Sequence, residues 1–463
     1  MTGPRSLPPL IFSIFLFASF FPTSFAADQE NQIQAMQEQL EALAERVQAL
    51  EKRNAELEQQ LRSQQSDMQE TEESLLDVRE QVDETSASIE TIEQATTAFP
   101  SDLKPLVSNF GAEFYGYIKL DMSYDDSNVF PGNFALWAES ESVAVEDDDQ
   151  FNVTANQTRF GFRLDGPEIY GGETRGNIEL DFYGGGAENK SRARMRQAWA
   201  EIFWDELDLA VLAGQTWDVI SPLYPTTLNF LIQDAAGNIG YRRPQLRVTK
   251  GFQVTPDSRL ELASAITRTI GDDLDLTETG SDSGFPTTQH RLAYSFPLLT
   301  ERPTTLGVSG HYGEEERDVS PTQICHHPTW SIVFDYSIPL LKKLTILGEL
   351  WHGENLATYY GGVIQGVNLQ IPDSIPASGG WASLAIGPFY DARFNVGASI
   401  DNPEDAFVVS GGREKNASIF GNVIYALSES LSIGMELSYW DTQYKDLDDG
   451  DAIRVQSSVI YKF

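Results

Sequence analysis

Hydrophobic positions along this 463-residue chain follow two periods. In residues 27–98 apolar side chains recur at alternating spacings of three and four. Ile33, Leu40, Val47, Leu61 and Met68 fall in one series and Met36, Leu43, Leu50 and Leu57 in the other, with polar Asn54 and Gln64 interrupting them. Without Gly or Pro, this repeat predicts a left-handed coiled coil, roughly 90 Å long at ~1.5 Å rise per residue. The polar layers at Asn54 and Gln64 are expected to fix register and partner number in an oligomer, and leave open whether two or three chains associate. Residues 99–110, with Pro100 and Pro105, stop the helix and read as a linker.

From residue 111 the period becomes two, which is the period of a strand. Phe114, Ile118, Leu120, Met122 and Tyr124 share one face, and Tyr115, Tyr117, Lys119 and Asp121 the other. Phe160 and Phe162 oppose Arg159 and Arg163, and Ile178 and Leu180 oppose Arg175, Glu179 and Asp181. A sandwich and a membrane barrel both give one apolar and one polar face. The connections favour the barrel. Short links such as 205–206 and 428–430 alternate with long ones near 125–155, 218–238, 313–328 and 353–379, a sorting expected of an outer-membrane barrel and not of a sandwich. The fold class is therefore an all-β transmembrane barrel of about sixteen antiparallel strands over residues 111–463, preceded by an α-helical coiled coil.

Targeting agrees with that reading. Arg5, the apolar run Leu7–Phe21 and Ser24-Phe25-Ala26 resemble a secretory signal peptide over residues 1–26. The ending Tyr461-Lys462-Phe463 resembles the C-terminal signal of bacterial outer-membrane barrels. The expected location is the bacterial outer membrane, among its lipid and lipopolysaccharide, with the coiled coil in the periplasm.

Charge narrows the partners. With 69 acidic and 32 basic residues the formal net charge is −37, a field of the wrong sign for nucleic acid. The coiled-coil segment contributes 18 acids against 5 bases. The single cysteine forbids an intramolecular disulfide, and Cys325-His326-His327 reads as a chance cluster in a loop, so no metal or cofactor is expected. His290, His311 and His352 are the histidines an outer-wall Ser–His hydrolase would need, but no nucleophile-elbow pattern accompanies them, and an enzyme is not expected.

Arg192, Arg194 and Arg196 stand at i, i+2 and i+4, and facing lipid each would cost ~2–4 kcal/mol at the midplane, so an inward or rim position is expected. With Lys119, Arg159, Arg163, Arg175, Arg242, Arg243 and Arg247 they suggest a basic pore wall for small anions; the competing reading is that they only neutralise lumen carboxylates such as Glu179 and Asp181. The connection 218–238, carrying Asp218, Tyr224, Asn229 and Asp234, is unusually apolar for an exposed loop and is expected to fold inward and narrow the pore, the alternative being a rim or subunit contact.

At Thr158–Asp165, Arg192–Trp199, Gly214–Asp218 and Gly240–Gln245 the chain resembles the DcaP-like porin family. That resemblance implies a homotrimer of sixteen-stranded barrels passing dicarboxylates and other small anions by passive diffusion. An alternative function is a structural tether, in which the coiled coil contacts the periplasm or cell wall and the barrel is an anchor.

Overall fold

The computed structural model describes residues 111–143, 148–185, 190–270, 283–320, 323–371 and 373–463. The stretches expected to form a signal peptide, a coiled coil with Asn54 and Gln64, and a linker lie outside the described residues.

Sixteen antiparallel strands follow one another around a closed barrel. They are β1 Gly111–Asp125, β2 in two pieces Gln150–Thr154 and Arg159–Asp165, β3 Glu173–Asp181, β4 Arg194–Trp204, β5 Leu209–Trp217, β6 Arg242–Thr255, β7 Ser258–Thr267 and β8 Thr287–Pro297. The second half is β9 Pro303–Ser320, β10 Gln323–Leu341, β11 Leu344–Glu354, β12 Pro376–Phe389, β13 Ala392–Pro403, β14 Arg413–Ala426, β15 Leu431–Tyr444 and β16 Gly450–Lys462. Closure comes from β1, which pairs β16 along Leu120↔Val459 and Tyr124↔Val455, and β2 on its other edge along Ser123↔Asn152 and Glu113↔Arg163. The break in β2 is a tight turn in which the Thr158 N–H donates to the Ala155 carbonyl at 2.9 Å.

The alternation predicted from the sequence is realised with its apolar face outward. Phe114, Ile118, Ile178, Leu292 and Val308 are exposed on the outer wall, whereas Lys119, Asp121, Glu179 and Asp335 are buried toward the lumen. An apolar belt outside and a polar interior give the low-energy arrangement when the surrounding solvent is hydrocarbon.

Two expectations change. Strands β9 and β10 continue to Ser320 and Gln323, so Cys325-His326-His327 lies on a strand and not in a loop. The continuation carries Glu314, Glu316 and His326 where the apolar face would be. No hydrophobic alternation marks it because it needs no lipid-facing side. Strand β4 begins at Arg194, so Arg192 is not the first rung of a ladder but an exposed residue of the preceding connection, bonded through its backbone to Gly184 and Gly185.

Candidate functional site: the arginine-lined passage

Residues 218–241 leave the end of β5, cross the lumen and return to β6. At the base, the Asp218 N–H donates to the Tyr241 carbonyl and the Tyr241 N–H to the Asp218 carboxylate, both at 2.8 Å. Arg243 and Gln289 close on the same carboxylate at 3.0 and 2.7 Å. Farther in, Glu349 of β11 accepts from Ser221 and from the Leu223 N–H. The innermost turn is held by Glu436 of β15, which accepts from the N–H groups of Leu228 and Asn229 at 2.6 and 3.1 Å, while the Leu228 carbonyl accepts from Lys119 and Gln456. On the way back the backbone carbonyls of Ala235 and Gly237 accept from Asn416 and Trp351, and the Gln233 side-chain carbonyl accepts from Ser399. A segment without a sheet partner thus has its backbone satisfied by side chains reaching in from the wall, as burial demands.

Two further connections pack on it. Asn229 exchanges two hydrogen bonds of 2.9 Å with the backbone of Ala135, in the hairpin Val129–Pro131 and Ala135–Ala138. The N–H groups of Ala235 and Gly240 donate to the carbonyls of Tyr360 and Tyr359. Leu136, Trp137, Ala235 and Val363 form an apolar cluster in the barrel interior.

These loops leave open space against the wall of β1 to β5. A cavity of about 860 Å³, lined by Asn133, Asn156, Arg194, Phe230, Leu231 and Tyr360, lies toward the long connections. A second, of about 330 Å³, shares Phe230, Leu231 and Tyr360 with the first and adds Arg159, Arg196, Trp217 and Arg242. A third, of about 340 Å³, shares Tyr117 and Arg159 with the second and reaches Arg163 and Phe463 at the short-turn end. Through these shared residues each cavity borders the next, so that the three form a series running from the long connections toward the short-turn end.

Four arginines meet along this series. Arg194 binds Asp181 in a two-pronged contact of 2.8 and 3.1 Å. Arg196, the extra residue of a bulge opposite Glu179 and Leu180, reaches both Glu179 and Asp181 at 2.8 Å. Arg159 stands 3.7 Å from Glu179. Arg242 has no ion-pair partner among the described residues and lies 4.7 Å from the ring centres of Trp217 and Tyr241. Four guanidinium groups are therefore set against Glu179 and Asp181 behind them and Asp234 on the cavity wall, a local excess of basic over acidic side chains.

The other predicted wall residues sit elsewhere. Arg163 and Arg175 are at the short-turn rim, paired with Glu113 and Glu201. Arg243 is 1% exposed and, besides Asp218, donates to the Thr358 carbonyl and lies 3.6 Å from the centre of the Tyr359 ring. Lys119 is 2% exposed and holds Gln157, Asp121 and the loop tip. Arg247 bonds Gln245 and the Trp217 carbonyl. Lys119, Arg243 and Arg247 bond other parts of the protein and line none of the three cavities, whereas Arg196, 3% exposed and bonded to Glu179 and Asp181, lines the second. Of the loop residues, Tyr224 and Asp234 line the second cavity, while Asp218 and Asn229 act as backbone anchors.

Sequence reasoning missed the aromatic lining formed by Trp217, Phe230, Tyr241 and Tyr360. A signal existed: the connection 355–375 contains Leu356, Tyr359, Tyr360, Val363 and Ile364, too apolar for a solvated loop. Among the described residues no His, Cys, Asp and Glu group is arranged to hold a metal ion, and His326 contacts Glu314 at 2.9 Å. His290 and His352 bond Ser264 and Ser378 across neighbouring strands on the outer wall, and inward-facing His311 bonds Ser331 and Thr329.

No family model and no curated protein matches the chain. Solved structures do. The outer-membrane channel DcaP of Acinetobacter baumannii aligns with a TM-score of 0.60 at 14% identity, covering 77% of this chain and 98% of that one. An anion-selective porin from Comamonas acidovorans aligns with a TM-score of 0.51 at 10% identity, over 76% and 100% of the two chains. OprB of Pseudomonas putida aligns with a TM-score of 0.51 at 9% identity, over 78% and 96%. At these identities the likeness is one of fold: the described residues form a sixteen-stranded barrel similar to the DcaP outer-membrane channel.

Proposed function

We propose that the protein is an outer-membrane porin through which small anionic solutes diffuse passively, drawn by an arginine-lined passage. The observation that carries this reading is the convergence of Arg159, Arg194, Arg196 and Arg242 on three cavities in series. Loops and lipid-facing walls lower the dielectric around such a path, which raises the local concentration of anions without holding them tightly. Arginine's fixed fork of donors suits carboxylates, and dicarboxylate-like compounds are the solute class inferred from the family resemblance. The anion-selective porin among the structural neighbours supports the sign of the preference.

Assembly as a homotrimer belongs to the same proposal. Strands β3 and β5 have 9 residues each, the lower limit of roughly 9–11 needed to cross a bilayer, whereas β9 and β10 have 18 and 19. A wall that low is better placed against other copies than against lipid, with residues 27–98 bundling the copies in the periplasm.

Liposome swelling with size-matched anionic, neutral and cationic solutes tests the function. The anion is expected to enter fastest, and to lose that advantage in an Arg194→Ala, Arg242→Ala double variant. Faster entry of the cation would refute the proposal.

A further inference from the structure

The second cavity is lined by three arginines and a single acid. Asp234, on the return leg of the inward loop, has one carboxylate oxygen bonded to Nδ2 of Asn238 at 2.7 Å. Arg196 of β4, Arg242 at the start of β6 and Arg159 of β2 line the same space. Tyr117 of β1, Tyr224 and Tyr241 of the loop, and Tyr360 of the connection 355–375 complete the titratable groups around it. Among the described residues no arginine pairs with Asp234 within 4.0 Å. Its side chain therefore sits inside the field of the cluster without being used up by one partner, unlike Glu179 and Asp181.

We propose that Asp234 sets how strongly the passage prefers anions. As a neutral acid it leaves the field of Arg159, Arg196 and Arg242 in the passage uncancelled; as a carboxylate it cancels part of that field. The inference rests on the porin reading and adds the residue that regulates it.

Physical chemistry fixes the sign. Burial pushes the Asp234 carboxyl up to about 7, with the Asn238 hydrogen bond, Arg242 and Arg196 pulling the other way. Below that pH the acid is protonated and selectivity is high; above it the negative charge appears and selectivity falls. Burial drives the phenols of Tyr224 and Tyr360 above their ordinary range, so they stay neutral throughout. Tyr241 is the competing group: burial raises its phenol, but Arg242, Arg194 and its hydrogen bonds outweigh that and draw it below the ordinary value.

The test is the reversal potential of the full chain in planar bilayers, under a KCl gradient, at about pH 5.5 and about pH 8.5. The chloride-to-potassium permeability ratio is expected to fall on the order of twofold or more across that interval, as a lost charge–charge interaction at intermediate dielectric implies. Asp234→Asn, which can still accept from Asn238, should hold the low-pH ratio at both values, and Tyr241→Phe should keep the wild-type response. A wild type that is anion-selective but unresponsive to pH overturns the inference and leaves the porin reading standing. So does a response that survives Asp234→Asn or vanishes in Tyr241→Phe. Cation selectivity at both pH values overturns the anion-porin reading on which the inference rests.

Discussion

Arg194 and Arg243 are the same residue type on the same barrel and do opposite things. The Arg194 side chain keeps 22% of its surface open although it grips Asp181, whereas Arg243 keeps 1% and is enclosed by Asp218, Thr358 and Tyr359. A buried pair adds little net stability, but removing one partner strands the other charge. Arg243→Ala should therefore destabilise the folded barrel by about 3–5 kcal/mol, read as a lower urea midpoint, because it leaves Asp218 buried and holding the base of the inward loop alone. An unchanged midpoint would contradict this. The sequence could not separate the two arginines, since both sit near strand ends beside other bases. The difference depends on which loop lies over each side chain, and Arg243 is covered by a connection 115 residues later in the chain.

Among the elements, the strands were legible wherever one face meets lipid, because the membrane enforces alternation there. They became illegible where β9 and β10 leave it: Glu314, Glu315 and Glu316 then follow one another without any alternation. With the short turns proposed to face the periplasm and the long connections the outside, a short epitope inserted in the connection between β9 and β10 is expected to bind antibody on intact cells. Binding only after the outer membrane is opened would reverse the proposed orientation. The inward loop was partly legible, its apolar Leu228-Asn229-Phe230-Leu231-Ile232 run marking it as a segment that must be covered. Its anchors were not, since Glu349 and Glu436 are ordinary alternating acids in the sequence. Glu436→Ala leaves the buried N–H groups of Leu228 and Asn229 without acceptors, at about 1–3 kcal/mol each. Single-channel recording should show a larger, noisier conductance as the tip detaches from β15; wild-type conductance would mean that the loop holds its place without Glu436. Phe230→Ala and Tyr360→Ala remove side chains shared by the first and second cavities, and should admit bulkier solutes while keeping the preference for anions.

For the whole molecule, the formal charge of −37 has the opposite sign to the surface proposed to meet the solute. The acids are dense in residues 27–98 and in connections such as 146–149 and 446–449, while the passage gathers arginines from β2, β4 and β6. Bulk charge is a sum over surfaces with different tasks, and composition alone could not divide it. If residues 27–98 form the coiled coil expected from their sequence and it serves assembly, deleting them should lower the oligomer size in detergent while leaving the conductance per barrel intact. If it tethers the barrel to the cell wall, the same deletion should weaken the envelope and leave the oligomer unchanged. The most direct measurement of the central claim is the reversal potential across a bilayer holding the full chain in a salt gradient at fixed neutral pH, for the wild type and the Arg194→Ala, Arg242→Ala double variant. The passage described here predicts a potential on the anion-selective side that moves toward zero in the variant; a cation-selective potential, or one that the double substitution leaves unmoved, would contradict it.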